Sequence, residues 1–366
     1  MLMRKVGAVL GTVLTLLFTT GSPALAHGAD APDATNYRST ITSLPPLSGV
    51  EIITIEAGAR LQLTNRGTEP VEVLGYQNEP YLEIRPDGVY ENIHSPATYL
   101  NITILHVDPP AHADPTLPPS WNKVSDEPLY RWHDQRAIWT SVTEPPSVLA
   151  APDQPHHLRD WVVPVRVGAT AHEIKGTLEW VPAPAPAIWW LIAIGGAVAV
   201  GLIGLIGPLK PLRAFITIAA GVLGLVYVVG REWDAGYFTF WPLLGQMFSA
   251  QLWTTVTSLA AIAAGVYALV KRRGDADFAM ALGGGAAALF AGMASAAAFH
   301  RSIIPLPWSA ATGRVLVCAI IILAGGSAIA SMLRLRGTAP IVDPAPHHDP
   351  VPHDPVPHDP APGTAT

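Results

Sequence analysis

Thirteen histidines are spread along this chain of 366 residues, and histidine is the side chain best suited to holding a transition metal or moving a proton near neutral pH. His27 stands first among them, because it follows Ser22-Pro23-Ala24-Leu25-Ala26, a small-residue A-x-A signature at which signal peptidase cuts. A chain beginning at His27 offers an α-amine and an imidazole nitrogen on one residue. With a second histidine, that pair can hold copper, since nitrogen donors suit Cu(II). His94, His106, His112 and His133 are the candidates for the second ligand. The bland alternative is a cut that happens to fall before a histidine in a flexible leader.

The segment Tyr130-Arg131-Trp132-His133-Asp134-Gln135-Arg136-Ala137-Ile138-Trp139 is the densest aromatic and polar cluster ahead of the apolar half. A carboxylate beside an imidazole can orient it as a ligand or an acid/base. On a strand, however, the adjacent His133 and Asp134 point to opposite faces, which favours a structural role. Near the C-terminus His347, His348, His353 and His358 recur in a His-Asp-Pro-Val-Pro repeat. Extended proline-rich chain sets successive repeats ~15 Å apart, so one ion reaches two of them only if the chain bends back. His300 follows Met293 by seven residues on an apolar segment, a spacing that places both on about one face of an α-helix and could form a soft copper relay; helix packing and an interfacial anchor are the competing roles. No H-E-x-x-H, G-x-S-x-G or G-x-x-x-x-G-K-[ST] motif occurs, and no catalytic constellation is expected.

These residues must be positioned by very different kinds of chain. Hydrophobic residues make up 49% and charged residues only 14%, too apolar for an ordinary soluble domain. Basic residues are dispersed and the net charge is -6, which excludes nucleic acid as a partner. The single cysteine, Cys318, lies in an apolar run, so disulfides do not staple the rest. Arg4, Lys5 and the apolar run Val6 to Phe18 complete a signal peptide over residues 1–26.

From Val50 to Trp180 short alternating runs, such as Glu51 to Glu56, Arg60 to Thr64, Val71 to Leu74 and Tyr81 to Ile84, are broken by turn residues. That texture predicts an all-β sandwich, Ig- or cupredoxin-like, of about seven or eight strands. Further strands are expected at Tyr99 to His106, Ala137 to Val142, Trp161 to Val167 and Gly176 to Trp180, with 108–119 as a loop. Residues 27–48 read as an extended leader to this domain (27–180). A Pro/Ala linker at 181–186 leads to five apolar segments within 187–333, near 187–207, 212–230, 251–270, 278–299 and 315–333, each about long enough to cross a bilayer. Small residues Gly284, Ala288, Gly292 and Ala296 line one face of the fourth, suited to close helix packing inside the bundle or between two copies. No acidic residue stands in the middle of a span, which counts against a proton-driven pump or an ion channel.

Lys210 and Arg213, Lys271 to Arg273, and Arg334 and Arg336 follow the first, third and fifth segments. The positive-inside rule puts these clusters in the cytoplasm, the β domain outside the cytoplasmic membrane, and the 334–366 tail inside. The aromatic-rich loops 231–250 and 300–314 then face outward.

The stretch Tyr130 to Trp139, with Asp160-Trp161-Val162-Val163-Pro164-Val165 and Gly176-Thr177-Leu178-Glu179-Trp180, resembles an uncharacterised actinobacterial family of multi-pass membrane proteins with a signal peptide and an extracytoplasmic β-domain. The resemblance covers most of the chain. It implies a more histidine-rich first motif, roughly W-H-D-H-R-x-H-W, in which Gln135 and Ile138 replace two histidines here; a metal site built on that cluster would be weakened or lost. The layout is also loosely similar to copper-resistance proteins of the CopC type fused to CopD-type membrane domains, without matching motifs beyond the histidine-first end. Two functions follow as expectations: a membrane-anchored module that binds or delivers a metal ion, copper above others, or a structural or interaction protein of the envelope whose β domain binds a protein partner. An enzyme is not expected.

Overall fold

The computed structural model describes residues 34–104, 107–206, 209–271 and 273–337. These form an N-terminal domain of ten antiparallel strands followed by helices, five of them long and apolar enough to cross a membrane. The strands are β1 (Tyr37–Ser43), β2 (Val50–Ile55), β3 (Arg60–Asn65), β4 (Val71–Leu74), β5 (Pro80–Arg85), β6 (Gly88–Asn92), β7 (Trp121–Ser125), β8 (Leu129–Trp132), β9 (His156–Val167) and β10 (Thr170–Trp180). One sheet runs β1-β10-β9-β4-β5-β6-β7, the other β2-β3-β8. Alternate residues of both sheets, among them Leu61, Leu63, Val73, Leu82, Ile84, Trp132, Val163, Val165 and Ile174, meet in one buried core. Each such side chain contributes about 1.5–3 kcal/mol on burial.

β3 departs from simple alternation, because all six of its residues are buried. Leu61 and Leu63 face the core, whereas Arg60 and Gln62 point the other way and are covered nonetheless. Their cover is the helical part of the chain.

The strand assignments differ from the sequence expectations at four places. Tyr37–Ser43, read as leader, is an edge strand paired with β10 from Tyr37↔Trp180 to Thr40↔Thr177. The sequence reading also omitted β6, β7 and β8. At Ala97–Leu100 the chain turns helically after Pro96, so no strand begins at Tyr99. The segment 137–142 is loop, with the carbonyls of Gln135 and Ile138 both accepting from the Arg159 guanidinium instead of from a neighbouring strand.

The helices are α1 (Pro186–Ile203), α2 (Lys210–Asp234), α3 (Phe240–Ser249), α4 (Leu252–Val270), α5 (Gly274–Phe299) and α6 (Ala310–Arg336). All but α3 are candidate spans, making this a multi-pass membrane protein. Close backbone approach is bought by small residues: a Cβ added to Gly221 would lie 2.4 Å from the Ser258 carbonyl, and one on Gly265 2.7 Å from that of Ala214. The small-residue ribbon of α5 is used in the same way, since Gly284 abuts the backbone of Ala324 and Gly292 the side chain of Ile321. Both are contacts with α6, within the bundle.

At one end of the bundle Arg213 on α2 is 2% exposed and donates to Asp277 on α5 at 2.6 Å, while Arg334 on α6 reaches the other oxygen of Asp277 at 3.4 Å and the Leu205 carbonyl at 3.1 Å. The basic clusters around 210, 271 and 334 thus share one end. The β domain sits on the other.

Candidate functional site

The motif from Tyr130 to Trp139 organises the junction between strands and helices. β8 ends at Trp132, so His133 and Asp134 lie beyond the strand, and its alternation does not separate them: both are buried. His133 uses both ring nitrogens, with Nδ1 2.9 Å from the Ala59 carbonyl and Nε2 accepting from Arg60 Nε at 2.9 Å. That pattern fits a neutral imidazole protonated at Nδ1. Asp134 accepts from the Trp132 indole at 3.1 Å, from Arg136 Nε and Nη2 at 2.8 Å each and from the Arg136 amide at 3.1 Å. Arg136 continues to the carbonyls of Leu74 and Gly75 and lies over the Tyr76 ring. His133 and Asp134 therefore belong to separate networks, one directed at the helices and one into the domain.

The network directed at the helices begins in the turn between β2 and β3. Glu56, Ala57 and Gly58 all have positive φ, at 55°, 57° and 84°. Two non-glycine residues in this region store strain, roughly 1–3 kcal/mol each. The Ala57 amide is held by Asp234 Oδ2 of α2 at 2.8 Å. Glu56 is 4% exposed; its Oε1 accepts from Arg60 Nη1 at 3.2 Å, and its Oε2 is buried without a hydrogen-bond partner among the described residues. Burial pushes the Glu56 carboxyl above its ordinary pKa, with Arg60, Arg131 and Arg231 opposing and Asp234 reinforcing the shift. Beside it lies a cavity of about 20 Å³ lined by Glu56, Arg60, Arg231, Glu232, Tyr237, Gln246 and Gln251, room for about one water.

Arg131 forms the next bridge. Its Nε donates to Gln62 at 2.7 Å, its Nη2 to the Gly236 carbonyl at 3.0 Å, and its guanidinium lies 4.2 Å from the Tyr237 ring centre. Gly236 has φ +83°, and a Cβ there would meet Gln62 Oε1 at 2.6 Å, so glycine is required on both counts. A second attachment uses a different loop, the one after α5. Thr35 and Ile303 exchange two backbone hydrogen bonds at 2.8 Å, Ser302 N donates to Asn36 Oδ1 at 2.9 Å, and Ser302 Oγ donates to the Pro182 carbonyl.

The remaining histidines are dispersed. His94 Nδ1 pairs with the Pro118 carbonyl at 2.8 Å, and His112 Nε2 pairs with the Tyr99 hydroxyl at 2.7 Å. A carbonyl partner of the first kind is also how a metal-bound imidazole is oriented, but among the described residues no group of three or more His, Cys, Asp or Glu gathers to hold an ion. His27, His106, His347, His348, His353 and His358 lie outside the described residues, as does the signal peptide. His300 accepts from the Trp190 indole at 3.1 Å. Met293–Phe299 is a 3-10 helix; at three residues per turn the seven-residue spacing no longer aligns Met293 with His300, as an α-helix would.

Sequence reasoning missed Glu56, Arg60, Arg131, Arg231, Glu232 and Asp234 as a group. Their one visible signal is the charged run Arg231-Glu232-Trp233-Asp234 closing an apolar segment, where interfacial charges are usually solvated. No protein-family model matches the chain, and no curated protein or solved structure does so.

Proposed function

We propose that this chain is an envelope interaction protein, in which the helical bundle spans the cytoplasmic membrane and holds the β domain on the outer side to meet a protein partner. The observation that carries the reading is the double attachment of the β domain, through the buried Glu56-Arg60-Arg131 network and through the Thr35–Ile303 pairing. A domain held through two independent sets of contacts is suited to presenting a surface at constant height and orientation, unlike one on a free linker. The engagement of His94, His112 and His133 in hydrogen bonds within the domain favours this role over metal handling. The orientation is supported by charge. Among the described residues, six basic residues flank the spans at the end away from the β domain (Lys210, Arg213, Lys271, Arg273, Arg334, Arg336), against three at the β-domain end (Arg231, Arg301, Arg314), the bias expected of a cytoplasmic face.

Copper binding or delivery is the second reading, and it rests on the Ala24-Leu25-Ala26 site before His27. One experiment separates the two. The full chain is purified with its N-terminus as the cell processes it and again with one residue retained before His27, and both are titrated with Cu(II) under spin-resonance detection. The interaction role predicts no stoichiometric metal on isolation and equal, weak titration by the two forms. Tight copper binding confined to the form with a free His27 amine transfers the assignment to metal handling.

A further inference from the structure

Between the spans α2 and α4 the chain forms α3, and this short helix has no buried residue. Phe240 is 65% exposed, Trp241 76% and Phe248 45%. Ten residues make a helix of about 15 Å, half the ~30 Å hydrocarbon thickness, so α3 cannot cross. Its residues nevertheless sort by angle. At about 100° per residue, Phe240, Trp241, Leu243, Leu244, Met247 and Phe248 fall on one continuous arc of roughly 160°, and Pro242, Gly245, Gln246 and Ser249 on the remainder.

The two arcs have different surroundings. Gln246, on the polar arc, lines the junction cavity beneath Glu56 of the β domain. Thr255 Oγ1 of α4 donates to the Met247 carbonyl at 2.8 Å, tying the helix to the start of the next span. Trp253, at the start of the span α4, is 52% exposed and stacks with Phe290 of α5 at 5.7 Å, so aromatic surface is exposed on the spans as well. α3 carries no charged residue, so attraction to anionic lipid is not what would hold it.

We propose that α3 lies in the plane of the membrane interface, with Phe240, Trp241 and Phe248 in the boundary between headgroups and acyl chains and Gln246 and Ser249 toward water. The occupant of the aromatic face is lipid of the leaflet on the β-domain side. The uncharged apolar face, its aromatic composition and the exposed aromatic surface on the following span α4 all fit a zwitterionic lipid surface. The helix then forms a floor under the β domain, its polar side closing the junction cavity while its apolar side rests in lipid.

The test uses the full chain in phosphatidylcholine vesicles. Trp241→Cys, Phe248→Cys and Ser249→Cys are made singly in a Cys318→Ala background and spin-labelled, and collision with oxygen, which concentrates in lipid, is compared with collision with a water-soluble nickel chelate. The expected result is a reversal: oxygen dominates at positions 241 and 248, nickel at 249. Nickel-dominated collision at all three would place α3 in water. Low collision with both at 241 and 248 would mean that protein, a second copy of the chain, covers the face. Either result overturns the proposal, whichever function the β domain serves.

Discussion

Glu56 couples charge, strain and contact with the bundle at one residue. Its carboxyl is pushed above the ordinary value of 4.5 first by burial, against the pull of Arg60. A carboxyl whose pKa is higher in the folded chain than in the unfolded one contributes stability that is present in full below the unfolded value and is lost as pH rises through the folded one. The apparent unfolding temperature of the full chain in detergent should therefore carry a component that declines as pH rises above 4.5, and Glu56→Gln should remove that component; equal pH slopes in the two chains would count against it. Asp134 acts through its ion pair with Arg136. It is fully buried and compensates Arg136, which is 19% exposed, so Asp134→Ala leaves a largely buried guanidinium against two carbonyls and should cost about 3–5 kcal/mol. Asp134→Asn keeps an acceptor for Trp132 and should cost less. Chemical unfolding followed by intrinsic fluorescence ranks the two, and an equal or reversed ranking would show that the acceptor kept for Trp132 contributes nothing beyond the lost charge.

At the scale of elements, the β-rich half followed by five apolar spans was legible because each rests on a local period: two for β2 to β5, β9 and β10, and about twenty apolar residues for each span. What the sequence hid depends on non-local partners. β1 reads as Tyr-Arg-Ser-Thr-Ile-Thr-Ser, a polar edge that becomes a strand only because β10 lies beside it. The polar residues of β3 look solvent-facing until the bundle covers them, which is why the junction escaped notice. α3 reads as loop in the sequence because Pro242 and Gly245 interrupt its ten residues, and its apolar arc exists only once they are wound into a helix. Gly176 shows how tightly the edge is built: a Cβ there would sit 2.1 Å from Trp161 Cζ2 and 2.4 Å from the Thr40 carbonyl. Gly176→Ala must displace a buried tryptophan or the β1 backbone, costing about 1–3 kcal/mol. Amide exchange at Ser39 to Ile41 should quicken more than at Val71 to Val73. Uniform change, or none, would mean that β1 is not held by this contact.

For the whole molecule, the attachment of the β domain and its proposed side of the membrane can be separated in one experiment. Thr35 and Ile303 form an antiparallel pair with both hydrogen bonds at 2.8 Å, a geometry with Cα atoms about 5.5 Å apart, inside the 4.4–6.8 Å range that a disulfide spans. A chain carrying Thr35→Cys and Ile303→Cys with Cys318→Ala should therefore cross-link to itself and migrate faster in a gel without reductant. Thr35→Cys combined with Lys271→Cys should not, since Lys271 lies with Lys210 at the far end of the bundle. Disulfides persist where the compartment is oxidising and are rare in the cytosol. With the β domain outside, the 35–303 link should form in growing cells without added oxidant. A link that appears only after lysis and oxidation would keep the docked arrangement and reverse the orientation. Absence of the link even with oxidant would remove the second attachment point, and with it the geometric basis for a β domain held at fixed height.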